Sequence, residues 1–344
     1  MKILAMADLH AHDYQDFAEP DEITGNSRLT EILKALQYMR KYCLDNGIKL
    51  VLDAGDTFHK RNAVNTVVYN TVFEEYKKFS DEGITVVIIP GNHTQVDNSD
   101  FPEHSMKPFS EIENVYVLDK FEPFEFEDVK IYPAPYSKNA KMVKEQIENY
   151  TKDNFEGTRI LLAHLGVSGA MVGRNSYPMQ DAFSYQDLRP DFFHFGVLGH
   201  YHKPQFIGEE KHYFYCGSPI QHSFNDEGEE HGMVIIDTDA QEAVFHPIPS
   251  PKFITVTSPD QIGEYLEGNY VRFRIPAEKV EEVSETIPKE LKHRIEPIKE
   301  YKEEKRLDVD HSLSPEQVVR KYAEKFKPEA VDVLLEILKE VEQQ

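Results

Sequence analysis

The sequence contains no tryptophan, very few cysteines and no long hydrophobic run. Cys43 and Cys216 are its only cysteines in 344 residues, too few for a disulfide framework, so we expect a reducing, cytoplasmic setting. No apolar stretch approaches the roughly 20 residues that a membrane-spanning helix needs. The start, Met1-Lys2-Ile3-Leu4, also lacks the layout of a signal peptide. We therefore expect no association with a membrane.

Positive charge is also scarce. The chain has 38 Lys and Arg against 61 Asp and Glu, which gives a net charge of −23. A protein that binds nucleic acid unaided is usually basic, because neutralising phosphates drives the affinity. If this chain acts on a polyanion, bound divalent cations and a basic partner must supply the attraction. The alternative is that the acidic charge only aids solubility.

Residues 1–248 alternate between strand-like and helix-like patterns, which predicts an α/β domain. The first such segments are strands over 2–7, 48–54 and 84–89 and helices over 27–46 and 66–80. This order favours a mainly parallel sheet with helices on its faces. Strand-like runs dominate after Val115, so we expect a two-sheet sandwich flanked by helices. Residues 13–26 are polar and turn-rich and indicate an inserted loop.

The proline-rich segment Pro247–Pro251 predicts a linker, because proline cannot continue a sheet ladder. Residues 252–305 then show a β-α-β-α-β pattern, with helices predicted over 260–266 and 277–291 and the last strand over 295–301, which indicates a small α+β domain. After a charged stretch, 302–310, Ser314-Pro315-Glu316-Gln317 is typical of a helix start. Residues 312–344 therefore predict a helical segment that either packs on its own chain or accepts a partner helix.

Five short clusters of potential metal ligands each follow a strand-like run. They are Asp8-Leu9-His10, Gly55-Asp56, Gly91-Asn92-His93, Ala163-His164 and Gly199-His200-Tyr201-His202. A sheet could gather these loops at one edge. Mixed oxygen and nitrogen ligands suit manganese, iron or zinc better than calcium. Two such ions can clamp and activate a phosphodiester, so the set is typical of a two-metal phosphoesterase.

Each residue type suggests a role, and each has a plainer alternative. Asp8 and His10 are two residues apart and project to one side, where they can hold one cation. The Asp56 carboxylate can bridge two ions. His93 follows Asn92 directly and is free to face the phosphate or donate a proton to the leaving group. His59, one turn beyond Asp56, either touches the phosphate or lies on the surface.

The remaining histidines and cysteines carry weaker signals. His12 could compete with His10 as a ligand, although the Asp-x-His spacing favours His10. We expect His104, His194 and His222 to be structural and Cys216 to be buried. Taken singly, His164 could be a core residue, and Asn92 or Gly199–His202 could belong to ordinary turns.

The ordered set resembles the calcineurin-type metallophosphoesterases. Finer motifs look like the SbcD family of nuclease subunits, namely Gly55-Asp56-Thr57-Phe58-His59, the segments 164–170 and 198–205, and Gly217-Ser218-Pro219. The resemblance implies one metal ion held by Asp8, His10, Asp56 and His202. It implies a second ion held by Asp56, Asn92, His164 and His200. His93 and His59 would be catalytic, and the ions would be two Mn²⁺, with Mg²⁺ possible.

The same resemblance implies a function and partners. It implies a nuclease subunit that acts as an exonuclease on double-stranded DNA ends and as an endonuclease on single strands, together with an SbcC-like coiled-coil ATPase. Its setting would be DNA break processing, recombination and replication in bacterial or phage-infected cytosol. Residues 1–248 would be the nuclease domain, 252–305 a DNA-capping domain and 312–344 the ATPase-docking segment. A homodimer would form through helices over 28–42 or 66–79.

Two departures from the family pattern affect the site. Thr94 stands where the family often has Asp, and Ala11-His12 stands where it has Leu-Gly. Two other functions are compatible with the ligand clusters. One is a phosphatase or small-nucleotide phosphodiesterase, against which the extra domain after Pro251 argues. The other is an inactive scaffold, against which the complete ligand set argues.

Overall fold

The computed structural model describes residues 1–172, 182–298 and 313–341. The chain divides into two compact units, Met1–Pro297 and Ile298–Gln344. Within the described part of the first unit the strands are β1 (Lys2–Met6), β2 (Leu50–Asp53), β3 (Thr85–Ile88), β4 (Val115–Val117), β5 (Phe124–Phe126), β6 (Val129–Ala134), β7 (Thr158–His164), β8 (Phe195–Gly199), β9 (Gln205–Ile207), β10 (Tyr213–Tyr215), β11 (Gly232–Asp237), β12 (Glu242–Pro247), β13 (Phe253–Val256), β14 (Tyr270–Pro276) and β15 (His293–Ile298). Its α-helices there are α1 (Ser27–Asn46), α2 (Thr66–Asp81), α3 (Ala140–Tyr150) and α4 (Val280–Thr286).

The first unit is built around two six-stranded sheets. The first has the order β12-β11-β1-β2-β3-β4, and the second has the order β5-β6-β7-β8-β10-β9. Strands β1 to β4 are parallel, and so are β6, β7, β8 and β10. Antiparallel strands complete the sheets at β11, β12, β5 and β9.

The alternation of side chains along β1 explains the layers. Ile3 and Ala5 belong to the core between the two sheets, whereas Leu4 and Met6 belong to the core beneath α1 and α2. A third core packs α3 against the outer face of the second sheet. The fold is therefore a two-sheet α/β sandwich flanked by helices, which confirms the fold class predicted from the sequence.

Helix α1 illustrates how local sequence sets an element. Its predicted apolar stripe is buried, and the Asn26 side chain accepts the N–H groups of Arg28 and Leu29 as the N-cap. The helix ends at Gly47, whose φ of 66° is left-handed and costs glycine little. The prediction of a helix over 27–46 is confirmed. Strands β5 and β9 and helix α3 were not predicted, because the two strands are short edge strands and α3 buries only Val143, Ile147 and Tyr150.

Strands β13, β14 and β15 form a small separate sheet with its own apolar core, which includes Val256, Val271 and Phe273. The helix predicted over 260–266 is wrong, because Gly263 separates two short 3-10 turns there. The helix predicted over 277–291 is also too long, since only Val280–Thr286 is α-helical and Pro288 follows shortly after. The predicted strand 295–301 is observed as β15. Residues 299–301 and the charged stretch 302–310 lie outside the described residues.

The second unit contains α5 (Pro315–Phe326) and α6 (Val331–Val341) among its described residues. Ser314 caps α5 as predicted, since its hydroxyl accepts the Gln317 N–H while the Gln317 side chain accepts the Ser314 N–H at 2.8 Å. The two helices enclose an apolar groove lined by Val318, Tyr322, Leu334 and Ile337, among others. Across the described ranges, no helix has the length and apolar character needed to cross a membrane.

Candidate metal centre

The predicted ligand residues lie where strands of both sheets end. Asp8 and His10 follow β1, and Asp56 follows β2. Asn92 and His93 come after β3, and His164 is the last residue of β7. His200 and His202 follow β8. Because the parallel strands of each sheet point the same way, their carboxyl ends meet at one edge, and the structure brings the seven predicted ligands and His93 together there.

Asp8, His10 and His202 form one group. Potential ligand atoms of the three lie within 4.8 Å of one another. The Nε2 atoms of His10 and His202 are 2.9 Å apart, so at most one proton fits between them. Asp8 and His10 are buried, and His202 is partly exposed.

A second group forms around His164. Its Nε2 lies 3.1 Å from Asn92 Oδ1 and 3.3 Å from Asp56 Oδ2. The Nδ1 of His200 lies 3.0 Å from the same Asn92 oxygen. His164 donates its Nδ1–H to the Ala54 carbonyl at 2.7 Å, which fixes its ring and leaves Nε2 facing the group.

Asp56 lies between the two groups. Its Oδ2 is 3.3 Å from His164 Nε2 and 3.8 Å from His10 Nε2. Its Oδ1 accepts the backbone N–H of His93 at 2.7 Å. One carboxylate therefore reaches both groups, which is the geometry that a bridging ligand requires.

The backbone at this edge is strained. Asp8, His10, Asp56 and His200 have φ angles of 52°, 45°, 57° and 106°, in the left-handed half of conformational space. Residues other than glycine rarely adopt such φ angles, and strained conformations of this kind concentrate at functional sites. Backbone hydrogen bonds hold the turns, from Asp8 N–H to Gly55 O at 2.8 Å and from His10 N–H to Asp56 O at 2.9 Å.

Gly91 allows the β3 loop to approach Asp56. A Cβ atom at position 91 would overlap the carboxylate and the backbone nitrogen of Asp56. The glycine in Gly91-Asn92-His93 is therefore required by packing against the shared carboxylate.

Burial and neighbouring charges shift the pKa values of the site. Burial raises the pKa of Asp8 to about 7 and holds the pKa of His10 well below its usual range. Burial also lowers the pKa of His202 and lowers that of His59 to about 4. Burial alone would depress the pKa of His164, but the Asp56 carboxylate raises it to about 9. A lowered pKa favours the neutral form of the His10 and His202 imidazoles, whereas the raised pKa values of His164 and Asp8 mean that metal binding there would displace a proton.

His93 and His59 lie beside these groups. His93 Nδ1 is 2.8 Å from the His59 carbonyl oxygen, so its N–H donates to that backbone group and orients the ring. Thr94 is buried and donates to the Gly91 carbonyl at 2.9 Å instead of contacting His93. The His59 carbonyl, and not the Thr94 side chain, therefore supplies the contact that orients the His93 ring. His12 is partly exposed, and its ring centroid lies 5.3 Å from that of His59.

Three residues outside the predicted ligand set lie against the site, of which only His222, expected to be structural, was named from the sequence. Buried Asp53 accepts hydrogen bonds from Gly55 N–H, the Thr57 hydroxyl and the Tyr76 hydroxyl, and burial raises its pKa to about 6. Asp226 Oδ1 lies 4.0 Å from His202 Nδ1. His222 is buried, with its ring centroid 5.9 Å from that of His10. An Asp inside an apolar strand was a usable signal for Asp53, but nothing local pointed to Asp226.

The residues present fit divalent cations. Carboxylate, amide and neutral imidazole donors converge in two groups that share Asp56, and such a mixed set suits first-row metals such as manganese. A two-sheet α/β sandwich with this donor set at one edge defines a metal-dependent phosphoesterase. The chain belongs to the calcineurin-like phosphoesterase family, whose model matches residues 1–217. The match confirms the resemblance predicted from the sequence. Members of this family bind divalent metals in a dimetal site.

Two curated relatives are nuclease subunits by name. The chain is 26% identical to exonuclease subunit 1 of Enterobacteria phage T4 over 256 residues, which cover 72% of this chain and 68% of the relative. It is 23% identical to a subunit of the nuclease SbcCD of Bacillus subtilis (strain 168) over 276 residues, 70% of this chain and 67% of the relative. A solved dimetal phosphatase from Danio rerio aligns with a TM-score of 0.39 and 9% identity, over 68% of this chain and 91% of that one.

Proposed function

We propose that this chain is the nuclease subunit of a DNA-processing complex. It would cut DNA as an exonuclease on double-stranded ends and as an endonuclease on single strands, with two Mn²⁺ ions or, alternatively, Mg²⁺. The observation that carries the proposal is the convergence of two donor groups on Asp56 in a calcineurin-like fold. The names of the two nuclease relatives support a nucleic acid as the substrate.

The donor groups suggest how the ions would be shared. Asp8, His10, Asp56 and His202 would hold one ion, and Asp56, Asn92, His164 and His200 would hold the other. Bound divalent cations would attract the phosphodiester and activate water for attack on phosphorus. The Asp56 carboxylate would keep the two ions together, and the Ala54 carbonyl would keep the His164 ring in place.

His93 is our candidate for proton transfer. Its backbone N–H is engaged by Asp56 and its Nδ1 by the His59 carbonyl, so the ring is held while Nε2 can serve the substrate. From there it would donate a proton to the departing oxygen or contact the phosphate. His59, whose ring centroid lies 5.6 Å from that of His93, would contact the phosphate.

The rest of the chain would organise substrate and partners. Residues 252–305 would cap the DNA, and 312–344 would dock on a coiled-coil ATPase of the SbcC type through the apolar groove between α5 and α6. A homodimer would use α1 or α2, whose neighbourhood exposes Ile23 and Val67. The complex would work in the cytoplasm, in break processing, recombination and replication.

Manganese-dependent cleavage of a linear duplex, with the ATPase present, tests the proposal. We expect the wild type to cut and His93→Ala to be about 10² to 10⁴-fold slower, the usual contribution of general acid catalysis. Metal content should not change, because His93 is not among the proposed ligands. His246→Ala is a matched control, since His246 lies on β12 against Tyr38 and Tyr42.

Two results would count against the proposal. Equal rates for wild type and His93→Ala would remove His93 from the mechanism. Turnover of a cyclic dinucleotide or a phosphoprotein, with no DNA cleavage even in the presence of the ATPase, would favour the phosphatase or small-nucleotide phosphodiesterase alternative.

A further inference from the structure

Arg28, the second residue of α1, is buried in the first unit with only 2% of its surface exposed. Among the described residues its guanidinium is held by carbonyls and aromatic rings rather than by a carboxylate. Nη1 donates to the Asp16 carbonyl at 2.9 Å, and Nη2 donates to the His222 carbonyl at 3.0 Å. Burying a guanidinium without a carboxylate partner costs free energy. The groups that Arg28 contacts therefore indicate its role in the structure.

Three aromatic rings surround the same guanidinium. Its Cζ lies 5.4 Å from the centroid of Tyr14, 4.9 Å from that of Phe253 and 4.6 Å from that of Tyr270. The face of an aromatic ring attracts a cation, most strongly where water is excluded. Arg28 thus joins α1 to the 13–26 loop and to strands β13 and β14 of the small sheet.

The 13–26 loop makes further contacts with the small sheet. Asp16 pairs with Arg294 at 2.9 Å, and Glu19 pairs with Lys292 at 2.8 Å. The Phe17 ring packs 5.4 Å from that of Tyr270. The segment that the sequence marks as an insertion therefore contacts the small sheet, as do Gln221, Phe224 and Glu227 of the neighbouring segment.

The His222 carbonyl connects Arg28 to the donor groups. The His222 ring lies 5.9 Å from that of His10 and 6.1 Å from that of His202. The His222 N–H donates to Asp226 Oδ2 at 2.9 Å, and the other oxygen of Asp226 lies 4.0 Å from His202 Nδ1. The segment 222–226 therefore backs both histidines of the first donor group.

We propose that Arg28 is a positioning residue. It holds the 222–226 segment, and through it His10 and His202, against α1, the 13–26 loop and the small sheet. Displacement of that sheet would then loosen one of the two donor groups and leave the other, around His164, intact. The inference rests on the proposed dimetal function for its metal readout but not for its structural one.

Arg28→Met tests this in the full chain, with Arg40→Met as the matched control. Arg40 lies on the same helix and pairs with Glu75 and Glu82, so both variants lose one positive charge and a contact. Mn²⁺ titration calorimetry should give two ions for the wild type and for Arg40→Met. In Arg28→Met, one of the two ions should bind about 10 to 100-fold more weakly, as expected when a contact that orients a ligand is lost.

Amide hydrogen exchange without metal gives the independent readout. Segments 13–19 and 218–226 should exchange faster in Arg28→Met and not in Arg40→Met. Unchanged exchange and unchanged Mn²⁺ binding in Arg28→Met, or equal losses in both variants, would overturn the proposal. Arg28→Lys keeps the positive charge but cannot donate to both backbone carbonyls from two fixed nitrogen atoms. If Arg28→Met does not fold, Arg28→Lys should show the same weaker binding of one ion and the same faster exchange. A wild type that binds fewer than two ions, while exchange still changes selectively in Arg28→Met, would contradict the dimetal function and leave the positioning role of Arg28 supported.

Discussion

Asp56 is the residue on which both donor groups depend. Asp56→Asn keeps the size of the side chain but removes the charge that both groups share. We expect it to lose both ions at micromolar metal, with affinity lower by more than about 100-fold, since even residues that only orient ligands contribute 10 to 100-fold. Metal analysis after gel filtration measures this. Asp81→Asn, an exposed position at the end of α2, should keep both ions.

Gly91 sets how closely the β3 loop approaches Asp56. Gly91→Ala places a methyl group against the Asp56 carboxylate, which must move or be strained. We expect about 1 to 3 kcal/mol less stability, the usual cost of overpacking, together with weaker metal binding. Urea unfolding with and without Mn²⁺ separates the two effects. Gly263→Ala, where the nearest atoms belong to the Tyr265 ring, should change metal binding little; equal behaviour of the two variants would contradict the role of Gly91.

The sequence predicted that the donor residues would lie close together. Asp-x-His, Gly-Asp and Gly-Asn-His each follow an apolar run, and the alternation of strands and helices makes these strands run in the same direction. It did not predict Asp226 or Arg28. Their importance comes from partners such as His202, His222 and Tyr270, which are distant along the chain. No local spacing records such pairings.

Among the elements, α2 supports the turn after β2. Tyr76 of α2 donates to Asp53 Oδ2 at 2.6 Å, and Asp53 in turn accepts the Gly55 N–H that begins the Asp56 turn. Tyr76→Phe leaves a buried carboxylate with one donor fewer, so we expect a loss of about 1 to 3 kcal/mol in unfolding free energy. Thermal and urea unfolding measure it. Tyr116→Phe, on β4 and 41% exposed, should be neutral; a loss there of the same size would contradict the assignment.

Helix and strand predictions succeeded where the pattern was long and flanked by clear stops. Helices α1 and α2 have a full apolar stripe and asparagine caps, and they were predicted to within one residue at each end. In the small sheet the apolar spacing over 260–266 resembles a helix, but Gly263 and Pro259 favour two tight turns instead. Short segments that pack on a three-stranded sheet receive their conformation from that sheet more than from local propensity.

The charge of the whole molecule limits how the chain binds DNA. With a net charge of −23, we expect the isolated chain to bind duplex DNA weakly at physiological salt and more tightly when Mn²⁺ is added, because cations at the site are the main attraction. Fluorescence anisotropy with labelled duplex, with and without Mn²⁺, measures this. Tight metal-independent binding would show that a basic surface outweighs the acidic total.

The second unit allows a separate test at the same scale. Removing residues 312–344 takes away α5 and α6, which belong to the unit Ile298–Gln344 and not to Met1–Pro297. We expect the shortened chain to keep both Mn²⁺ ions and to lose co-purification with a coiled-coil ATPase. If the full chain and the shortened chain co-purify equally, the docking role of the two helices is wrong.

Both cysteines lie in the interior of the first unit, fully shielded from solvent. Burial raises the pKa of Cys43 to about 12 and also raises that of Cys216, so the reactive thiolate is scarce at neutral pH. A maleimide dye should therefore not react with Cys43 or Cys216 in the folded chain, and it should label only a cysteine introduced on the surface. Pairs of such positions, one on the small sheet and one beside α1, would make the distance between them measurable by single-molecule fluorescence without first removing any native residue.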